Sequence, residues 1–203
     1  MRRSLFALAL AMTAALPAFS QEVTIVSHED RSLVLSVTAP IPVLIPHAAR
    51  GGSVEPRIEG TAILEEGGRP RIPYSRTLIG VPEGMRPVLS ILSARQHRIS
   101  DDRIAVTLHP AFGLTAAEGW EEPAEPPLPK GRYPRKAAEI AWTGWLRDTQ
   151  VAEIRFYPVR SAGEGGGILH LARIVARVDF VPDAGSVSPR RHDDEAPSIS
   201  SPE

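Results

Sequence analysis

The chain has 203 residues, and its 23 lysines and arginines nearly cancel its 24 acidic residues, for a formal net charge of −1. Nothing in that balance argues for nucleic acid or an anionic membrane as partner. No cysteine is present, which excludes disulfides, thiolate metal sites, a lipid-anchored cysteine and a cysteine nucleophile together.

The first element is a secretory signal. Arg2 and Arg3 form its positive region and Leu5 to Leu16 its apolar stretch. Ala18-Phe19-Ser20 is a small-x-small cleavage site, so cleavage is expected between Ser20 and Gln21. The apolar run is too short to span a bilayer, and no membrane insertion is expected. Residues 1–20 are thus read as a signal peptide and the remainder as exported, to the periplasm, the cell surface or the medium. What is left suffices for one sandwich-sized domain, placed at residues 21–182.

Strands follow. The candidates are Val23–Ser27, Ser32–Thr38, Arg57–Leu64, Tyr74–Val81, Pro87–Arg95, Arg103–Leu108, Ala137–Trp145, Gln150–Tyr157 and Ile168–Val181. Alternation is clean in Leu33, Leu35 and Val37, and nearly continuous in Val88–Leu92, as in a more buried strand. Turn chemistry separates them at Glu66-Gly67-Gly68, Pro82-Glu83-Gly84 and Ser100-Asp101-Asp102. Twenty prolines and sixteen glycines interrupt nearly every candidate helix of three turns. The fold class is therefore all-β, an antiparallel β-sandwich of about nine strands. Thr115–Gly131, containing EEPAEPPLPKG, reads as an extended surface loop. The tail 183–203 is rich in Ser, Pro and acidic residues and reads as disordered.

The most informative stretch is Trp145 to Phe180. Ala152, Ile154 and Phe156 alternate with Glu153, Arg155 and Tyr157, and the segment SAGEGGG at Ser161–Gly167 then supplies hairpin-loop residues. Alternation resumes in Ile174, Ala176, Val178 and Phe180, opposite Arg173, Arg177 and Asp179. The expectation is one long hairpin with Glu153 opposite Arg173 or Arg177.

The run GWLRDTQVAEIRFYPVR, a turn and LHLARIVARVDF resembles the end of the propeptide domain of gingipain-type cysteine peptidases. GGRPRIPYSRTLIGVPEG at Gly67–Gly84 and the Tyr133-Pro134 pair extend the resemblance over most of Ser53–Pro182, in the same order throughout. Where the family has a Tyr-Asn-Pro-type turn, this chain has Ser161–Gly167. The resemblance implies a non-catalytic domain that binds a gingipain-type cysteine endopeptidase, keeps it latent and assists its folding. The peptidase would be encoded separately or lost from this chain. It also implies that a surface loop presents a basic residue to the peptidase's acidic pocket. Lys130, Arg132 and Arg135, around the downstream end of the proline-rich loop, are the candidates. Arg132 is preferred because Gly131 lets the backbone approach closely.

Other constellations carry less. Arg190-Arg191 in the tail is a candidate processing site for a basic-specific protease. Trp142 and Trp145 are three apart, so a regular strand sends them to opposite faces, one to the core and one to the surface, unless Gly144 sits in a bulge. A shared stacking platform would favour the alternative reading, a cell-surface adhesion or carbohydrate-binding module. His28-Glu29-Asp30 reads as a polar turn. His192-Asp193-Asp194-Glu195 lies in the tail, and neither cluster has transition-metal spacing. No cofactor is called for, although calcium held by loop oxygens stays open, since it leaves little sequence trace. No G-x-S-x-G, H-E-x-x-H or P-loop occurs, and no helix is expected after Gly163–Gly167 to complete a phosphate loop.

Overall fold

The computed structural model describes residues 22–47, 52–107 and 130–183. These residues form twelve strands and no helix. The chain is all-β, as its alternation and turn chemistry predict.

The first sheet is built from β1 (Glu22–Glu29), β2 (Ser32–Thr38), β7 (Met85–Ser100), β11 (Val159–Ser161) and β12 (Ile168–Pro182). β12 is its spine, pairing antiparallel with β7 along its length, and with β2 and β11 on the other side. The second sheet has the order β5-β6-β10-β9, with β5 at Ala62–Leu64, β6 at Ile72–Gly80, β9 at Ala138–Leu146 and β10 at Thr149–Phe156. A small third sheet joins β3 (Val43–Pro46), β4 (Ser53–Arg57) and β8 (Arg103–Ile104).

The two large sheets face each other across one apolar core. Leu33, Leu35, Val37, Ile174, Ala176, Val178 and Phe180 come from the first sheet, and Ile79, Ala138, Ala152, Ile154 and Phe156 from the second. Every second residue of β10 and β12 therefore points inward. A second cluster sits at the other end, under the third sheet, and includes Val54, Ile58, Ile72, Ile104, Tyr157, Val159 and Ile168.

The expected hairpin is corrected by this arrangement. β10 does not pair with β12; its partners are β6 and β9, and β12 lies in the opposite sheet. The chain changes sheets at Tyr157-Pro158. Tyr157 N–H donates to Ala137 O at 2.8 Å, while Pro158 O already accepts from Leu171 N–H at 2.8 Å. Proline has no N–H to continue the β10 ladder, which ends the strand there. Glu153 consequently meets neither Arg173 nor Arg177. It accepts from Arg155 Nε at 2.7 Å and stands 4.0 Å from Arg76 Nη1, whereas Arg177 pairs with Asp179 and Arg173 with Ser36 Oγ. The glycine-rich tip does close a hairpin, but the short one between β11 and β12, where Ser161 faces Ile168.

Smaller corrections have local causes. Gly60, at φ 76°, turns the chain and divides the expected strand Arg57–Leu64 into β4 and β5. β3 was not anticipated. β7 runs longer than Pro87–Arg95, and beyond β8 the segment Arg103–Leu108 offers an isolated bridge from Val106 to Pro70. In β9 the bulge falls at Ala141, between the Glu153–Trp142 and Ile154–Ile140 pairs, not at Gly144. Trp142 folds its ring over Gly144, where an added Cβ would stand 2.1 Å from it. Trp145 lies opposite Gln150, in the row of the inward-facing Ala152. The two indoles are on opposite faces, but both are exposed and neither is in the core.

Candidate functional site

A cavity of about 350 Å³ opens beside the second core cluster. One wall comes from Leu64 at the end of β5 with Glu66 and Arg69 beyond it, and another from Glu139 of β9 and Tyr157. The third wall is the segment from Lys130 to Arg135. The three basic residues singled out in the sequence thus line one cavity.

A strap of chain holds them there. Tyr133 extends the edge of β11: its N–H donates to Ser161 O at 3.0 Å and its carbonyl accepts from Ser161 N–H at 2.7 Å. The Tyr133–Pro134 peptide is cis. Behind the strap, the buried Arg160 donates from Nε to Pro134 O at 2.8 Å and from Nη2 to Arg135 O. Burial holds this guanidinium below the usual arginine range, and the neighbouring charge of Arg132 adds to the effect. With the Gln96 amide turned so that its oxygen faces Arg132, the orientation that satisfies both ends of the amide, that oxygen accepts from Arg132 Nη1 and Nη2 at 3.0 and 3.1 Å. The hairpin tip backs the strap: Gly163, at φ 101°, lies so close that a Cβ would stand 2.5 Å from Gly131 O. The close approach thus depends on the missing Cβ of Gly163, not of Gly131; a Cβ on Gly131 would meet nothing within 4 Å, and what Gly131 supplies is its φ of 81°.

The carboxylates of the cavity are engaged by tyrosines. Tyr133 donates its hydroxyl to Glu66 Oε2 at 2.9 Å, and Tyr157 donates to Glu139 Oε1. Burial raises both phenols above the usual tyrosine range, and the hydrogen bond and charge of the partner glutamate raise them further. The Arg69 guanidinium lies 5.7 Å from the Tyr133 ring centroid. None of Arg69, Lys130, Arg132, Arg135 and Arg160 forms an ion pair with a carboxylate of the described residues.

Proximity in the sequence groups the three basic residues but does not reveal what fixes them. Arg160, Gln96, Glu66 and Arg69 are scattered along the chain, and no local pattern marks them. Ser20-Gln21, most of Thr115–Gly131 and Arg190-Arg191 lie outside the described residues. Among the described residues no three His, Asp or Glu side chains converge as a metal set would require.

No family model matches the chain, and no curated protein matches it. Solved structures from Porphyromonas gingivalis do. One, of gingipain K, concerns its zymogenic latency; it aligns with a TM-score of 0.61 at 18% identity, covering 82% of this chain and 96% of that one. Another, the complex of RgpB pro- and mature domains, aligns with a TM-score of 0.61 at 18% identity over 83% of this chain and 88% of that one. The likeness establishes a gingipain pro-domain-like fold.

Proposed function

We propose that this domain docks on a gingipain-type cysteine endopeptidase domain and holds it latent, assisting its folding, with no catalysis of its own. The observation that carries this reading is the strap. Lys130, Arg132 and Arg135, marked in the sequence for their chemistry, stand together on a segment pinned by Arg160 and bridged to Ser161, and none of them is ion-paired with a carboxylate of the described residues. A braced segment loses little conformational entropy on docking. Cations without internal partners are matched by an acidic surface, and a pair desolvated there contributes a few kcal/mol, on the order of measured interfacial charge couplings.

The same reading places this domain at residues 21–182, exported by a signal cleaved between Ser20 and Gln21, with Arg190-Arg191 as a processing site in the tail. A carbohydrate platform finds no support, because Trp142 and Trp145 face opposite ways.

The test is inhibition of a gingipain-like peptidase by the exported domain and by a variant with Lys130, Arg132 and Arg135 all changed to alanine. Inhibition by the first and a loss of at least tenfold in the second is expected. Equal inhibition would reduce the strap to a connector, and no inhibition by either would remove the peptidase as partner.

A further inference from the structure

The charges around the cavity do not cancel. Four cations line it, Arg69, Lys130, Arg132 and Arg135, against two carboxylates, Glu66 and Glu139. Each carboxylate is already an acceptor for a tyrosine hydroxyl, and none of the cations is paired within the described residues. Arg160 adds a fifth positive charge behind the strap, where it donates to the backbone carbonyls of Pro134 and Arg135. All four lining cations are exposed, so water screens them in the free domain, and an incoming anion would find them converging and without carboxylate partners.

The shape is as informative as the charge. The space is concave, and its apolar lining consists of Leu64, Pro134 and the rings of Tyr133 and Tyr157. Such walls suit the methylene stem of a side chain, while guanidinium groups form bidentate bonds with its carboxylate. An inorganic oxyanion would use the charges and leave the apolar walls without a partner.

We infer that this cavity receives a glutamate side chain from a docked protein, with Arg132 and Lys130 binding the carboxylate and Leu64, Pro134 and the tyrosine rings holding its stem. This rests on the reading that a protein partner docks at the strap, and it reverses the direction of insertion there. The domain supplies the pocket and the partner supplies the acid. Anchoring of Arg132 by Gln96 fits that role, since a guanidinium fixed at its own surface is suited to receiving a group.

The experiment uses the exported domain and no peptidase, so it can fail independently of latency. A terminally blocked peptide with two adjacent glutamates is titrated by NMR against its glutamine counterpart. The glutamate peptide is expected to bind at least tenfold more tightly, with amide shifts concentrated at residues 130–135 and 69. Lys130→Gln with Arg132→Gln should abolish that preference at unchanged thermal stability. Arg86→Gln with Arg95→Gln, which removes the same charge from β7, should leave it intact. Equal binding of the two peptides, or equal losses from both variant pairs, would overturn the inference. So would sodium sulfate saturating the same amide shifts as tightly as the peptide, which would make the cavity a site for free oxyanions.

Discussion

The two ends of the interior are built on different principles. Between the large sheets the core is filled by Leu33, Leu35, Ile154, Phe156, Ile174 and Phe180, and no charged group is buried among them. At the other end the apolar cluster around Ile72, Ile104, Val159 and Ile168 adjoins buried Glu55, Arg160 and His170. Glu55 is held by Arg57 Nε at 2.7 Å and Arg71 Nη1 at 3.2 Å. The first end is held by area removed from water, which tolerates no loss of volume. The second trades part of that area for directional bonds, and those bonds position the strap and the cavity.

The largest effect expected from breaking this comparison lies at the dry end. Phe180→Ala should cost about 3–5 kcal/mol in urea unfolding, because it leaves a void between packed sheets. Arg173→Ala, on the exposed face of the same strand, should cost far less, within about 1 kcal/mol. The reverse ranking would mean that the faces of β12 are wrongly assigned.

Next comes Arg160→Met, which keeps the buried stem but removes the donors to Pro134 O and Arg135 O. Hydrogen bonds from a charged group typically contribute about 1.5–3 kcal/mol, so a loss of that order is expected. Amide exchange at Tyr133 and Ser161 should accelerate beyond the global change. A uniform acceleration would show that Arg160 supports the fold as a whole and not the strap.

The polar end should also respond to pH from both sides. Burial, reinforced by His97, holds the His170 imidazole below its usual value. The unfolded chain therefore takes up this proton first as pH falls. His170 supports stability above about pH 6.5, the unperturbed histidine value, and that support is lost as pH falls from there toward the folded-state value. His170→Leu should flatten the acid limb of a melting-temperature profile; an unchanged limb would assign it to other groups. Tyr157 works in the opposite direction, since its hydroxyl is raised by burial and by Glu139. Its contribution is complete below about pH 10, the unperturbed tyrosine value, and is lost as pH rises toward the folded-state value. Tyr157→Phe should give a shallower alkaline decline than the parent protein.

The smallest effect lies away from both ends, in the turn between β9 and β10. Arg147 is held at φ 55°, in the left-handed region. Arg147→Gly should relieve that conformation and raise stability by roughly 0.5–1 kcal/mol. A loss instead would mean that the arginine side chain makes a contribution exceeding its backbone cost.

Much of this was legible in the residues. Alternation in β2, β10 and β12 identified the inward faces correctly, because a strand between water and a core must change polarity with period two. The polar turn at Asp30, the turn before Met85 and the glycine-rich hairpin tip were read from local backbone chemistry, which acts over a few residues. Grouping Lys130, Arg132 and Arg135 required only their proximity along the chain.

Which sheet each strand joins was decided elsewhere. β10 and β12 carry equally good patterns for pairing with each other, and only Pro158, by ending one ladder as the next begins, sends them to opposite sides of the core. The partners of the strap were hidden for the same reason. Arg160, Gln96, Glu66 and Arg69 reach it from strands and turns separated by long stretches of chain, and periodicity reports a residue's face without naming its neighbour. Local sterics and solvent contrast are written residue by residue, so the sequence alone determined an all-β chain and its buried faces. Pairing, the cavity and its unbalanced charge arise from contacts between distant segments, and only the tertiary structure decided those.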